Sequence, residues 1–315
     1  MAKTIKFNLK CDNASIRTLD DLREHFCIQD VLDYYKNGLL ARWLNVHGYV
    51  DELGKINNLQ STTDEDLIVQ ISGILNVESD ENVVKESLAI IEYEKESNEI
   101  HRKYADGLAS ETEVLKDYKG RYDALVNEII DNKDDYSKIK AATEVLIRDF
   151  DWMLDLDFEE LFYKMKNLAP LALFCFVSFE KFRKYYLPQP CTTADGKESE
   201  DIYVDYKDIE QKRFYENKRN MYEELCKFIT EDTLKTILKD NLKIFLEDTD
   251  QYWKDIEADE TKRFMILFMN YGSMVRALKD KGTELKTEDI NYKFVILKGI
   301  DFKNTYNNKL LYMEV

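Results

Sequence analysis

Residues 168–187 read LAPLALFCFVSFEKFRKYYL, and the reading of the whole chain turns on this stretch. Leu171, Leu173, Phe174, Phe176, Val177 and Phe179 crowd together at its start. A charged face appears only later, as Glu180, Lys181, Arg183 and Lys184. A helix that is apolar on every side is buried, because none of its faces can be left in water. The unbroken apolar part is too short to cross a bilayer, which takes about 20 residues. The stretch is therefore predicted to be a central core helix. Pro170 fits its first turn, where the missing N–H has no helical partner to lose, and Pro188 and Pro190 mark its end.

The totals agree with a helical chain. Of 315 residues, 44% are hydrophobic and 34% charged, with only 10 Gly and 3 Pro, so tight turns are few. The formal net charge of −17 argues against a general nucleic-acid-binding surface, which needs a basic footprint. It also admits a second reading, an acidic inhibitor that mimics nucleic acid, if the carboxylates cluster on one face. The five cysteines, Cys11, Cys27, Cys175, Cys191 and Cys226, contain no CxxC pair and give neither a disulfide framework nor zinc spacing. MAKTIKFNLK has no apolar core of a signal peptide. A reducing cytoplasm is the expected location.

Along the chain, Thr4 to Lys10 alternates apolar and polar residues as a half-buried strand does. Thr18 with Asp21 reads as a capping box ahead of Leu19, Leu22 and Phe26. Ile28 to Tyr35 forms another short helix, ended by Asn37-Gly38, and Leu39 to Leu44 a third, closed by His47-Gly48. Short amphipathic helices follow to residue 80. The pattern T-L-x-x-L-x-x-x-F at Thr18 to Phe26, followed from Gly38 by Leu39, Leu40, Ala41, Arg42, Trp43 and Leu44, resembles a small helical module near the N-termini of bacterial multidomain proteins. It covers about a sixth of the chain. The resemblance implies a bacterial regulatory or interaction protein and carries no activity with it. Within the module Leu40, Trp43 and Tyr49 are the expected contact residues.

From residue 81 to 135 two long charged segments, interrupted at Asp106-Gly107 and restarted by a Ser110–Glu113 capping box, predict a helical hairpin. Residues 136–315 are expected to be a helical core domain. Within it Asp157 with Glu160 caps a helix, and CTTADGKESED after Pro190 reads as a loop or linker. Helices are expected over Tyr206–Ile229, Leu234–Phe245 and Phe264–Leu278, with strands at Tyr292–Leu297 and Lys309–Val315. Pairing of the strands at the two chain termini would give a small antiparallel β element. The expected fold is mainly α: a multi-helix bundle with a hairpin and that minor sheet.

Three constellations could carry chemistry. Arg42 and His47, in RWLNVH, match the R-x4-H spacing of HEPN-type ribonucleases, in which Arg steadies phosphate charge and His moves protons. Trp43 departs from the polar residue usual after that Arg, and the bland reading is a surface Arg and a helix-terminal His. Asp149, Asp151, Asp155, Asp157, Glu159 and Glu160 could hold Mg²⁺, but acids at helix starts are expected anyway, and no metal site is predicted. Glu284 and Lys286 form an E-x-K, with Asp280 upstream, in what reads as a loop. The local basic concentrations, Lys181, Arg183 and Lys184 and then Lys212, Arg213, Lys218 and Arg219, are where nucleic acid would bind if it bound anywhere. No nucleotide or hydrolase motif is present, and no cofactor is expected. The leading expectation is an interaction protein that offers helical surfaces to a protein partner, in a stress-response or phage-defence setting.

Overall fold

The structure, a computed structural model, describes residues 7–61, 63–78, 80–105, 111–280 and 282–315. It is 56% helical, with 14 α-helices and small antiparallel sheets among the described residues, so the chain is mainly α. No helix among these residues is long and apolar enough to cross a membrane. The chain divides into two compact units, Met1–Leu125 with Lys140–Val145, and Val126–Ile139 with Leu146–Val315.

The first unit opens with a hairpin of β1 (Leu9–Cys11) and β2 (Ala14–Ile16), turned by Asp12 and Asn13, both left-handed at φ 49° and 61°. Leu9 and Lys10 of the expected N-terminal strand pair here, Phe7 and Asn8 precede the pairing, and Thr4, Ile5 and Lys6 lie outside the described residues. Five short helices follow: α1 (Leu19–Glu24), α2 (Ile28–Lys36), α3 (Leu39–His47), α4 (Val50–Asn57) and α5 (Asp64–Leu75). The Thr18 capping box is present, and left-handed Gly48 closes α3. None of these helices has the length to persist alone. They hold because each lends a stripe to one core, in which Leu22, Val31, Leu40, Trp43, Leu44, Ile68, Ile71 and Leu75 are wholly buried.

Val84 at the start of α6 (Glu81–Ala105) joins that core. Next come α7 (Glu111–Asp131) and α8 (Tyr136–Asp149), within which the division between the units falls. The expected break at Asp106-Gly107 and the Ser110 capping box lie outside the described residues.

In the second unit α9 (Asp151–Leu168) runs unbroken through Asp157, so the cap expected there does not form. The deciding stretch is then two helices, α10 (Pro170–Phe176) and α11 (Glu180–Tyr186). Pro170 takes the first helical position. Ser178 ends α10 by turning both its amide (2.9 Å) and its hydroxyl (2.7 Å) onto the Cys175 carbonyl. Arg183 reaches back from α11 to the Val177 carbonyl at 2.9 Å. The burial expectation is met, since every residue from Leu171 to Val177 is at most 2% exposed. The loop expected after Pro190 is a hairpin of β3 (Pro190–Thr192) and β4 (Glu198–Glu200). After it stand α12 (Ile209–Cys226) and α13 (Glu231–Leu238).

The larger correction lies beyond α13. The stretch expected as a helix over Phe264–Leu278 instead holds β7 (Arg263–Met269) and β8 (Met274–Arg276), two successive strands that lie in different sheets. They belong to a set with β5 (Lys243–Phe245), β6 (Lys254–Glu257), β9 (Leu285–Lys286), β10 (Val295–Lys298), β11 (Ile300–Lys303) and β12 (Leu310–Glu314). One antiparallel sheet runs β10-β7-β12-β5 and the other β6-β11-β8-β9, with α14 (Thr287–Ile290) between β9 and β10. Phe264, Ile266 and Met269 from the first sheet share a core with Val275, Ile300 and Phe302 from the second. The run FMILFM is apolar at every position, and periodicity cannot separate a fully buried strand from a buried helix. Nor do the termini form a joint sheet: β1 pairs with β2, and β12 lies between β7 and β5.

Candidate functional site

The N-terminal residues singled out from the sequence serve the core of their unit. Leu40 and Trp43 are wholly buried and so have no surface to offer a partner, which corrects their reading as contact residues. Tyr49 is half-buried, and its hydroxyl accepts from the Leu19 amide at 3.2 Å. His47 packs its ring 4.8 Å from that of Trp43 and places Nε2 3.0 Å from the Phe7 carbonyl. The Arg42 guanidinium lies 5.6 Å from the Phe7 ring centroid. Both members of the R-x4-H pair therefore hold Phe7 against α3.

The basic concentrations are also largely engaged. Lys181 bridges Asp151 and, at 2.8 Å, Asp155. That bond and a second from Tyr185 hold the Asp155 carboxyl below its usual range. Arg183 donates to the Val177 and Phe294 carbonyls, each at 2.9 Å, and burial followed by the nearby Arg263 charge lowers its pKa. Lys218 is buried on Asp201 at 2.5 Å, and Arg219 donates through Nε to the Ile202 carbonyl at 2.8 Å. Lys184 pairs with Glu180, and Lys212 and Arg213 are exposed. Glu284 precedes β9 and Lys286 is its second residue, while Asp280 caps its own turn through Gly282 and Thr283. Among the described residues no group of three or more His, Cys, Asp or Glu could hold a metal ion.

Two surface features stand out in the second unit. On α9, Trp152 and Leu156 are four residues apart and therefore on one helix face. They are 80% and 82% exposed, although the same helix buries Leu154, Leu161, Phe162 and Met165. Asp151 and Asp155 flank them, each with about half of its side chain in water.

The other feature is a cleft of about 300 Å³ among the loops of the β region, which the sequence reading missed. Gln251 lines it from the β5–β6 loop, Tyr271, Gly272 and Ser273 from the β7–β8 turn, Lys286 and Glu288 from β9 and α14, and Lys303 and Thr305 from β11 and the loop after it. Asparagines tie these loops together. Asn304 is 1% exposed; its Oδ1 accepts from the Thr249 amide at 2.9 Å, and its Nδ2 donates to the Glu247 and Asn308 carbonyls. Asn308 donates to the Tyr271 carbonyl at 2.9 Å, and Asn270 Oδ1 accepts from the Lys309 amide at 2.8 Å. This network holds Asp250, Gln251 and Tyr306 in left-handed backbone at φ 51°, 65° and 65°, conformations a non-glycine residue keeps only when its surroundings force it. Gly272, at φ 82°, is required, since a Cβ there would stand 2.9 Å from Thr305 Oγ1.

No family model matches the chain, and neither does any curated protein or solved structure. The functional reading rests on these two features.

Proposed function

We propose that the chain is an interaction protein that presents a helical surface to a protein partner. The observation that carries this is the α9 face, where an indole and a leucine side chain stand in water at 80% and 82% exposure. Single exposed apolar residues are ordinary, but a tryptophan with a leucine one turn away offers an aromatic anchor of the kind that dominates binding energy once covered. The flanking Asp151 and Asp155, on a chain of net charge −17, select a partner groove with an apolar floor and a basic rim. The bacterial setting comes from the N-terminal resemblance, and a stress-response or phage-defence role is the one such a helical interaction architecture suits.

The test places a photo-crosslinking amino acid at residue 152 and, as a control, at exposed Asn167 on the same helix. Residue 152 should give a defined adduct that residue 167 does not. The Trp152→Ala/Leu156→Ser variant should weaken binding of the purified partner at least tenfold. Retention of the partner at full affinity by that variant would remove α9 as the contact. An adduct of two copies of this chain, with a dimer lost in the variant, would replace the partner by self-association.

A further inference from the structure

We infer that the cleft among the β-region loops is a binding site for a small phosphate monoester. The inference stands apart from the α9 reading and concerns different residues. Between Lys243 and Lys309, the described lysines 243, 254, 262, 279, 293 and 309 each have a carboxylate partner. Lys286, Lys298 and Lys303 have no side-chain ion pair among the described residues, the Lys286 amide alone donating to Asp289, and two of these three line the same cleft beside Glu288. In a chain with 62 acids against 45 bases, lysines left without carboxylates and gathered at one cavity mark a place kept for an external anion. The Lys303 ammonium lies 4.7 Å from the centroid of the Trp253 ring, which also carries Arg276 at 3.9 Å.

A second observation points the same way. Ser273 lines the cleft, is 2% exposed, and its hydroxyl has no hydrogen-bond partner. A buried hydroxyl left unmatched has lost water without a replacement partner, a cost that a phosphate oxygen accepting from it would relieve. A phosphate monoester brings a charge of roughly −1.5 to −2 and three strong acceptor oxygens, enough for two ammonium groups and a hydroxyl together. A carboxylate brings less charge and one oxygen fewer.

The neighbouring surface limits the ligand's size. The adjoining depression shares Gln251 and Thr305 with the cleft but is lined by Asp248 and Asp250. A nucleic-acid strand continuing in that direction would meet these two carboxylates in addition to the cleft's own Glu288, whereas a ligand that ends in one phosphate meets Glu288 alone. The cavity volume lies at the small end of ligand sites, roughly 300–1,000 Å³. Tyr271, 83% exposed at the rim, offers a flat face to the body of the ligand, a nucleobase or a sugar ring.

The experiment is calorimetric titration of the whole chain with AMP, glucose 6-phosphate, inorganic phosphate and, as the uncharged control, glucose. A phosphate monoester should bind and glucose should not. Preference for AMP assigns the rim to a base, and preference for glucose 6-phosphate to a sugar. Lys303→Met and Lys286→Gln should each weaken binding at least tenfold, and Ser273→Ala several-fold. Lys286 is exposed, so its variant keeps the test open if Lys303→Met fails to fold. Binding of glucose as tight as that of its phosphate, no binding of any phosphate probe at millimolar concentration, or unchanged affinity in the folded lysine variants would overturn the inference.

Discussion

Lys218→Met is the substitution whose consequence the structure fixes most sharply. Lys218 is 1% exposed on α12, and its ammonium stands 2.5 Å from Asp201, itself 6% exposed. Methionine keeps most of the length of the stem and removes the charge, leaving a buried carboxylate with one remaining donor, the Gln189 amide at 3.0 Å. Breaking a buried pair from one side costs about 3–5 kcal/mol, because the surviving charge has lost both water and partner. The retained Gln189 bond favours the lower end of that range. At 1.4 kcal/mol per tenfold, about 3 kcal/mol lowers the folding equilibrium constant by roughly two powers of ten.

Both residues lie in the second unit, so the loss should be confined there. Hydrogen exchange read by mass spectrometry across a urea series follows each unit separately. With a slope of about 1–3 kcal/mol per molar urea, the second unit's midpoint should fall by about 1–3 M and the first unit's should stay. Asp201→Asn in the Lys218→Met background should recover part of the loss, since the stranded charge is then gone. A cost below about 1 kcal/mol, or a double variant as weak as the sum of its parts, would refute the reasoning.

Two further outcomes follow from single groups. Gly272→Ala forces a left-handed alanine, at about 1–2 kcal/mol, against Thr305 at the cleft; Gly196→Ala, with φ 81° and open space around it, carries the backbone cost alone. Urea midpoints should place Gly272→Ala below Gly196→Ala, and equal midpoints would mean that Thr305 yields freely. For Glu231, hydrogen bonds from Lys235 and then Lys309 lower the carboxyl from 4.5 to about 2. A lowered pKa means a contribution fully present above the ordinary value and lost as the pH falls through about 2. The stability difference between wild type and Glu231→Gln should be level above pH 5 and shrink on acidification; a difference that grows instead would contradict the assignment.

How far the fold is legible depends on whether the deciding signal is local. Thr18 with Asp21 satisfies orphan amides within one turn, and Gly48 needs only its own φ, so these helix ends are readable. The Leu171–Val177 run declares its burial, but the break after it lies in the bonds of Ser178 and Arg183, which a hydropathy pattern does not contain. The β region is illegible for the same reason that the core helix is legible. An apolar run such as FMILFM says only that both faces are covered, and the partners that make it a strand, β10 and β12, come later in the chain.

The contact residues show the converse error. A large aromatic such as Trp43 suits a surface anchor by size alone, yet α3 is nine residues long and depends on that side chain to hold it to its neighbours. A short helix exposing its largest apolar group would have nothing to fix it in place. Trp152 sits on an 18-residue helix that already buries Leu154, Leu161, Phe162 and Met165, so its indole is free to remain in water. The cleft shows the same division of labour. Asn304 gives its amide to the loops, and the Lys286 and Lys303 ammoniums are left without carboxylates among the described residues. In both places the scaffold is held by other residues, which is the condition for a side chain to be spared for a ligand.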